Sequence, residues 1–462
     1  MTPVEVVPFV REGLGNSSYL LRVGRDQAIL IDPDRSTSRY LRDAEARGWR
    51  IACVFETHLH ADFVTGSLEV AAATGAPIYL PAEAGAGFPS RGLAPGERIE
   101  IGAVEVEAVA SPGHTPEHLS YVVRAPEPAA PMLFSGGALI VGGAARTDLI
   151  SPDMTERLTR AQFRTIRDAF AGLPDETVLY PTHGGGSFCS VGSGGGERTS
   201  TLGRERATNP LFDHDDEDTF ARWFPTTFPG APDYFFRLRD VNRAGPGLAR
   251  EIPMPPPLSP EAFDRERVTG AMVVDVRPYE AYSNGHLPGS ISIAMREVYA
   301  TWLGWIVPEG APLLFVADGV PLREVVEESL LVGYERFAGV LDGGVDAWAA
   351  SGRAVERVEL SDPDEAARAL DAGAVAIDVR EASEIGGGKV PGALELPLGD
   401  LEERLHEVPK DRPLIAYCGH GERASTAISI LERAGRGPLV NLRGGYGSWK
   451  RRMGTSAHPR RR

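Results

Sequence analysis

The stretch VVDVRPYEAYSNGHLPGSISI, residues 273–293, returns about a hundred positions later as AIDVREASEIGGGKVPGALELP, residues 376–397. A second pair, LDGGVDAWAASGR at 341–353 and LRGGYGSWKRR at 442–452, repeats in the same order. The offsets agree, with Asp275 to Asp378 spanning 103 positions and Trp348 to Trp449 spanning 101. A period of that length is far beyond the roughly 20–50 residues of a solenoid repeat, so it reads as a duplicated domain. Each copy alternates short apolar β-branched runs with helical stretches, the pattern of a parallel sheet covered by helices.

Outward from the repeat, the proline run Pro255–Pro257 excludes helix or central strand and predicts an extended spacer. The copies are predicted at 258–355 and 360–455, with a helix starting in Ser361-Asp-Pro-Asp-Glu. Residues 456–462 read as a basic, solvated tail. Residues 1–250 differ: strands at Ala28–Ile31, Ile51–Glu56, Glu105–Ala108 and Leu119–Val123, separated by turns and a few helices, suggest two β-sheets with outer helices.

A chain of 462 residues fits two to four domains. Its formal charge of −16 repels phosphate backbones and anionic lipid, so nucleic acid and membranes are excluded as expected partners. The first twenty residues lack a basic segment followed by an apolar core, and no run of about 18 apolar residues occurs, so a cytoplasmic location is expected. The 3 cysteines, Cys53, Cys189 and Cys418, lie too far apart in sequence for a disulfide framework. Cys53, inside an apolar strand, reads as core.

After the strand IACVFE comes Thr57-His58-Leu59-His60-Ala61-Asp62. A strand-end loop of this kind points two imidazoles and a carboxylate into one concavity, a donor set suited to zinc or ferrous iron. His114 in SPGHTPEH and His183 in YPTHGGGS follow strands in the same way. One such histidine alone is more simply a loop residue; four with the same setting point to a metal centre. His118 and His214 read as surface residues.

The series THLHAD, SPGHTPEHLSY, GGALIVGGAARTDL and YPTHGGGSFC resembles the metallo-β-lactamase superfamily, and within it the persulfide dioxygenase branch. That resemblance implies a sandwich of two sheets between helices, and one ferrous ion held by two histidines and an aspartate. It puts His58 and His114 among the ligands and Arg146 near the substrate. The family's aspartate is absent, because the corresponding Phe134-Ser135-Gly136-Gly137 carries Gly137 in its place. Phe63 stands where two-metal hydrolases have a further histidine. Three outcomes follow: His60 completes a three-histidine site, Asp62 and His183 draw the ion into a neighbouring subsite, or the domain is an empty scaffold. The expected cofactor is one weakly held Fe(II), with zinc as the alternative. Cys189, beyond the Gly-rich loop, either meets a persulfide at the mouth of this site or packs.

In the last copy PLIAY leads into Cys418-Gly419-His420-Gly421-Glu422-Arg423 and then directly into a helix-like run. A cysteine at a strand-to-helix turn has the helix N-terminus and successive main-chain N–H groups aimed at its sulfur, which stabilises a thiolate or persulfide anion. Arg423 suits the oxygens of sulfite or thiosulfate. This stretch, with IDVRE, VPGALELP and LRGGYGSW, resembles the rhodanese family, in which a six-residue loop from Cys to Arg fits sulfur. Lys389, where that family often has histidine, is peripheral to the chemistry. The equivalent positions of the earlier copy hold Ala317 and Leu322, so that copy cannot form a persulfide and reads as a packing or docking module.

The expected fold is therefore an α/β multidomain chain: an αββα metallo-β-lactamase sandwich followed by two α/β rhodanese domains with parallel sheets. The expected function is oxidation of a small persulfide, such as glutathione persulfide, to sulfite, coupled to sulfur transfer through Cys418. A zinc hydrolase of thioester-type bonds, or a metal-free scaffold serving the sulfurtransferase, are the alternatives. Small thiols, persulfides, sulfite and thiosulfate are the expected partners, with a homodimer the expected assembly at most.

Overall fold

A computed structural model describes residues 4–126, 129–192 and 196–454. The predicted basic tail lies outside the described residues. The chain divides into two compact units, the first holding residues 1–252 with 327–333, the second the remainder from 253 onward.

The first unit is built on two six-stranded sheets. One runs in chain order from β1 (Glu5–Arg11), β2 (Asn16–Arg22) and β3 (Gln27–Ile31) to β4 (Arg50–Phe55), β5 (Ile78–Pro81) and β6 (Arg91–Leu93). The other takes β7 (Arg98–Ile101), β8 (Val104–Ala110), β9 (Leu119–Arg124), β10 (Met132–Gly136), β12 (Val178–Pro181) and β14 (Ser200–Thr201), with a separate ribbon of β11 (Gly143–Ala145) and β13 (Ser190–Gly192). All four strands expected from sequence are present.

Alternation along the strands explains the layering. Tyr19, Leu21, Ile29, Ile31 and Phe55 of the first sheet meet Val106, Ala108, Tyr121, Val123 and Phe134 of the second in one core. Their neighbours Leu20, Leu30 and Val54 face the other way, onto Tyr40, Ala44 and Val70 of two outer helices, Ser38–Ala46 and Ser67–Thr74. Val122, Leu133 and Leu179 likewise cover Phe163, Ile166 and Phe170 beyond the second sheet. Each such Val, Leu, Ile or Phe side chain, fully buried, contributes about 1.5–3 kcal/mol.

In the second unit, β15 (Pro257–Leu258), β16 (Met272–Asp275), β17 (Ile291–Ser292), β18 (Leu313–Val316) and β19 (Phe337–Leu341) form a parallel sheet in the order 15-19-18-16-17. The sheet of β20 (Glu359–Ser361), β21 (Val375–Asp378), β22 (Leu394–Glu395), β23 (Leu414–Tyr417) and β24 (Leu439–Leu442) is ordered 20-24-23-21-22, the same topology five strands on. The duplication seen in sequence is a duplication of fold. The proline spacer does more than connect: Pro257 pairs with Val340 at the sheet edge, where its missing N–H costs no ladder bond. The predicted helix start is capped by Asp362, one residue after Ser361, through a capping box with Glu365 and with Pro363 in the first turn. Among the described residues no helix is long and apolar enough to cross a membrane.

Candidate functional site

The first unit gathers its histidines just beyond the ends of β4, β8 and β12. His58, His60, His114 and His183 are each 1% exposed or less. Ring centroids of His58, His114 and His183 lie 4.8, 5.3 and 5.2 Å apart pairwise. Hydrogen bonds fix the tautomers. Thr57 Oγ1 donates to Asp32, so His58 Nδ1–H must donate to that hydroxyl (2.9 Å), leaving Nε2 a lone pair. His114 Nδ1–H donates to the Arg146 carbonyl (2.6 Å), and its Nε2 has no partner. His183 Nδ1 faces Asn16 Oδ1 and Asp62 Oδ2, both at 3.2 Å, which turns its Nε2 toward His58 Nε2, also 3.2 Å away.

Three buried imidazole lone pairs thus converge. Tetrahedral coordination with nitrogens at about 2.0–2.1 Å spaces its ligands about 3.3 Å apart, so these residues fit a divalent transition metal. Burial, reinforced by the neighbouring imidazoles, pushes His58 well below its ordinary range and His114 down to about 3, which keeps both neutral and able to ligate.

The third place beside His58 and His114 is taken by His183 rather than by His60. His60 Nε2 sits 3.1 Å from Glu56 and 3.2 Å from Asp32. Burial opposes its charge, but the Asp32 and Glu56 carboxylates outweigh it and raise it to about 10, which favours its charged form beside them, while burial in turn raises the Glu56 carboxyl. Asp62, His60 and His183 form a second group of donor atoms within 4.8 Å of one another. Burial works to raise Asp62, and His183 outweighs it, bringing its carboxyl to about 2.

Asp32 and Glu56 are site residues that the sequence reading missed. Asp32 has a left-handed φ of +48° and is fully buried, accepting from Thr57 N–H (2.7 Å), Thr57 Oγ1 (2.8 Å) and Thr182 Oγ1. A non-glycine held there against its preference is a mark of functional sites. The available signal was an acid directly after the apolar strand, in LIDPD.

His118 corrects the expectation of a surface residue: it is 1% exposed and stacks on His58 with ring centroids 4.8 Å apart. Its Nε2 accepts from Gly137 N–H (3.0 Å). It lies just before β9, and its Nδ1 is paired with Ser111 Oγ (2.8 Å). His214 is half-buried, stacked on Trp223 at 4.0 Å. At Gly137 a Cβ would lie 2.7 Å from His114 Cδ2 and 3.0 Å from His183 Cδ2, so the two rings close over the space of the family's aspartate.

Arg146 holds His114 through its carbonyl, while its guanidinium pairs with Asp148 (2.7 and 2.8 Å) and donates to the Pro229 carbonyl (2.9 Å). Cys189 is fully buried rather than at an open mouth, and burial followed by Asp62 pushes its thiol well up. Cys53 is core, its thiol pushed to about 12 by burial.

In the second unit Cys418 directly follows β23 and is 1% exposed. Gly421 N–H donates to its sulfur (3.1 Å), and the helix Glu422–Arg433 begins at the next residue. Gly421 has φ +129°, and a Cβ there would lie 2.9 Å from the Tyr279 ring. Arg423 forms a bidentate pair with Glu384 (2.6 and 2.7 Å). Ala317 and Leu322 of the earlier copy supply neither nucleophile nor cation.

Two family models account for most of the chain: Metallo-beta-lactamase superfamily over residues 11–183, and Rhodanese-like domain over 259–351 and again over 362–452. The chain belongs to both, as a metallo-β-lactamase and rhodanese fusion. It is 31% identical to Persulfide dioxygenase ETHE1, mitochondrial, of Homo sapiens over 199 residues, 42% of this chain and 70% of that protein. It is 41% identical to a Sulfurtransferase of Allochromatium vinosum over 75 residues, 16% of this chain and 70% of that one. A Hydroxyacylglutathione hydrolase of Polaromonas sp. is 34% identical over 172 residues, 36% of this fusion and 62% of the hydrolase, so the match spans less than two thirds of that relative. Among solved structures, a metallo-beta-lactamase from Staphylococcus aureus is similar with a TM-score of 0.65 and 29% identity, covering 74% of the fusion and 99% of that chain.

Proposed function

We propose that this fusion acts in sulfur metabolism, its front domain (1–250) oxidising a small persulfide and its last domain (360–455) carrying sulfur on Cys418, with the cysteine-less domain (258–355) between them. The observation that carries this reading is the seat of Cys418: buried, at a strand-to-helix turn, with a main-chain N–H on its sulfur. Amides and a helix N-terminus stabilise an anion on sulfur without a counter-ion that would have to leave.

The front reaction is RSSH + O2 + H2O → RSH + SO3²⁻ + 2H⁺. A ferrous ion, when bound, supplies the electron exchange with oxygen that side chains lack. His58, His114 and His183 would hold it; Asp62 and the Arg146 carbonyl orient two of those rings; and burial excludes water from the pocket. At Cys418 sulfur exchanges with that sulfite: the thiolate attacks the sulfane sulfur of thiosulfate, the new S–S bond forming as the old one breaks and the electron pair departing with sulfite. The same step in reverse passes the outer sulfur of a Cys418 persulfide to sulfite made in front, releasing thiosulfate and the thiolate. The likeness to ETHE1 and to the sulfurtransferase supports both halves. The second reading is a zinc hydrolase of thioesters, favoured by the hydroxyacylglutathione hydrolase match, although Phe63 packs on His60 where two-metal hydrolases have a further ligand.

The test is anaerobic loading with Fe(II), followed by oxygen uptake and sulfite formation with glutathione persulfide. Cys418→Ala is expected to keep that uptake and to lose thiosulfate-dependent sulfur transfer, together with the mass of one added sulfur on the loop peptide. Thioester cleavage by zinc-loaded protein without oxygen uptake would establish the second reading instead.

A further inference from the structure

The helix behind the Cys418 loop is not held by its own domain alone. Ser292, in β17 of the cysteine-less domain, receives Thr426 Oγ1 on its carbonyl (2.6 Å), donates its N–H to Ser429 Oγ (3.2 Å) and pairs through its hydroxyl with Ser425 (2.9 Å). All four residues are buried. Tyr282 Oη and His286 Nε2 lie 3.3 Å from Glu432 on the same helix. The Tyr279 ring rests against the α-carbon of Gly421, inside the sulfur loop itself. The two copies of the fold therefore share one wall, and the sulfur loop lies against it.

Four residues beyond Ser292, the same segment carries Arg296, with a flank open to solvent. Among the described residues its side chain makes no hydrogen bond and no ion pair. Neighbouring protein partly desolvates it and lowers its pKa, Glu422 and Cys418 counteract that lowering, and Arg423 and Glu297 also act on it, so its guanidinium lies within electrostatic reach of the sulfur. This matters because the cation of the loop is already engaged: Arg423 is tied by both terminal nitrogens to Glu384. Thiosulfate brings two negative charges toward a thiolate carrying a third, and a neutralised arginine does little against that repulsion.

We propose that the cysteine-less domain completes the sulfur site of its neighbour, with Arg296 as the cation that receives the sulfonate oxygens of a thiosulfate-class donor at Cys418. In the transfer, the Cys418 thiolate bonds to the sulfane sulfur, the S–S bond of thiosulfate breaks, and sulfite leaves with the electron pair while its oxygens remain on Arg296; total charge is −3 before and after. Arg296 is thus a specificity residue for anionic donors, and Ser292 and Tyr279 position the loop.

The proposal rests on Cys418 being the sulfur carrier, and the test separates the two. In the full chain, steady-state sulfur transfer from thiosulfate to cyanide is measured for wild type, Arg296→Ala, Arg296→Lys and Cys418→Ala. Losing one charge-assisted contact to an oxyanion is expected to raise KM for thiosulfate about ten- to a hundredfold with kcat changed less. Arg296→Lys should recover part of that, and benzenethiosulfonate, with one charge fewer, should show a smaller rise. Thermal melting equal to wild type is expected for both variants, because the side chain is open to solvent on one flank. Wild-type KM in Arg296→Ala, or a loss confined to kcat and not rescued by lysine, would overturn the proposal. Full transfer by Cys418→Ala would overturn the underlying assignment instead.

Discussion

Glu381 offers a pH test of the sulfur domain. It lies beside Arg423, and its Oε1 is buried without a hydrogen-bond partner, while its other oxygen caps the short helix Ala382–Ile385 by accepting from Glu384 N–H. Burial raises its carboxyl from an ordinary value near 4.5 to about 7; Asp400 and Glu384 add to the rise, and Arg423 opposes it. A folded pKa above the unfolded one means stability fully present below about pH 4.5 and lost as pH climbs through 7. At about 1.4 kcal/mol per pH unit, the ceiling is about 3 kcal/mol. Partial solvation of the side chain reduces this to about 1–2 kcal/mol. Glu381→Gln keeps a capping oxygen and removes the titration. Hydrogen exchange of peptides spanning 414–433, corrected for intrinsic rates, should show nearly equal protection in wild type and variant at about pH 4. At pH 8 opening of the variant should be about five- to thirtyfold rarer. A difference independent of pH, or wild type better protected at pH 8, would refute the argument.

Gly421→Ala places a Cβ 2.9 Å from the Tyr279 ring at φ +129°, a conformation costing a non-glycine about 1–3 kcal/mol; thermal melting should show the second unit less stable, with thiosulfate transfer reduced at least tenfold. Glu384→Gln removes the charge that ties Arg423, so KM for thiosulfate should fall several-fold in steady-state assays. Gly137→Asp forces the rings of His114 and His183 apart, so the apoprotein should melt lower than wild type, whereas equilibrium dialysis should show tighter Fe(II) binding; unchanged iron content would mean that the carboxylate does not reach the ion.

What the sequence made legible follows from what is local. The duplicated rhodanese pattern, the strand-to-helix turn at Cys418 and the histidines at strand ends each lie within one short segment, so spacing alone exposes them. The role of His60 does not, because it depends on Asp32, 28 positions earlier and brought beside it only when β3 and β4 pair. His118 was hidden for a similar reason: whether a loop histidine faces in or out is decided by the cluster it stacks on. Arg423 stands out as a cation from its place in the loop, but its pairing with Glu384, 39 positions back, exists only in the fold.

The two rhodanese copies show how a fold can lose its chemistry and keep its frame. Asp275 and Arg277 form the same bidentate buried pair (2.9 and 2.6 Å) as Asp378 and Arg380 (2.8 and 2.6 Å). Removing either partner would strand a buried charge at a cost of about 3–5 kcal/mol, so the pair persists whatever happens to the loop. The loop changed more deeply than by loss of a cysteine. Asp318 occupies the position equivalent to Gly419; its carboxylate accepts from Val345 N–H (3.1 Å) and crowds Gly344, while Arg277 lies 3.7 Å away. An internal anion now stands where the copy bearing Cys418 has a glycine and leaves room for an external one. Restoring cysteine at Ala317 alone should therefore not restore sulfur transfer, since a thiosulfate dianion would meet a fixed carboxylate.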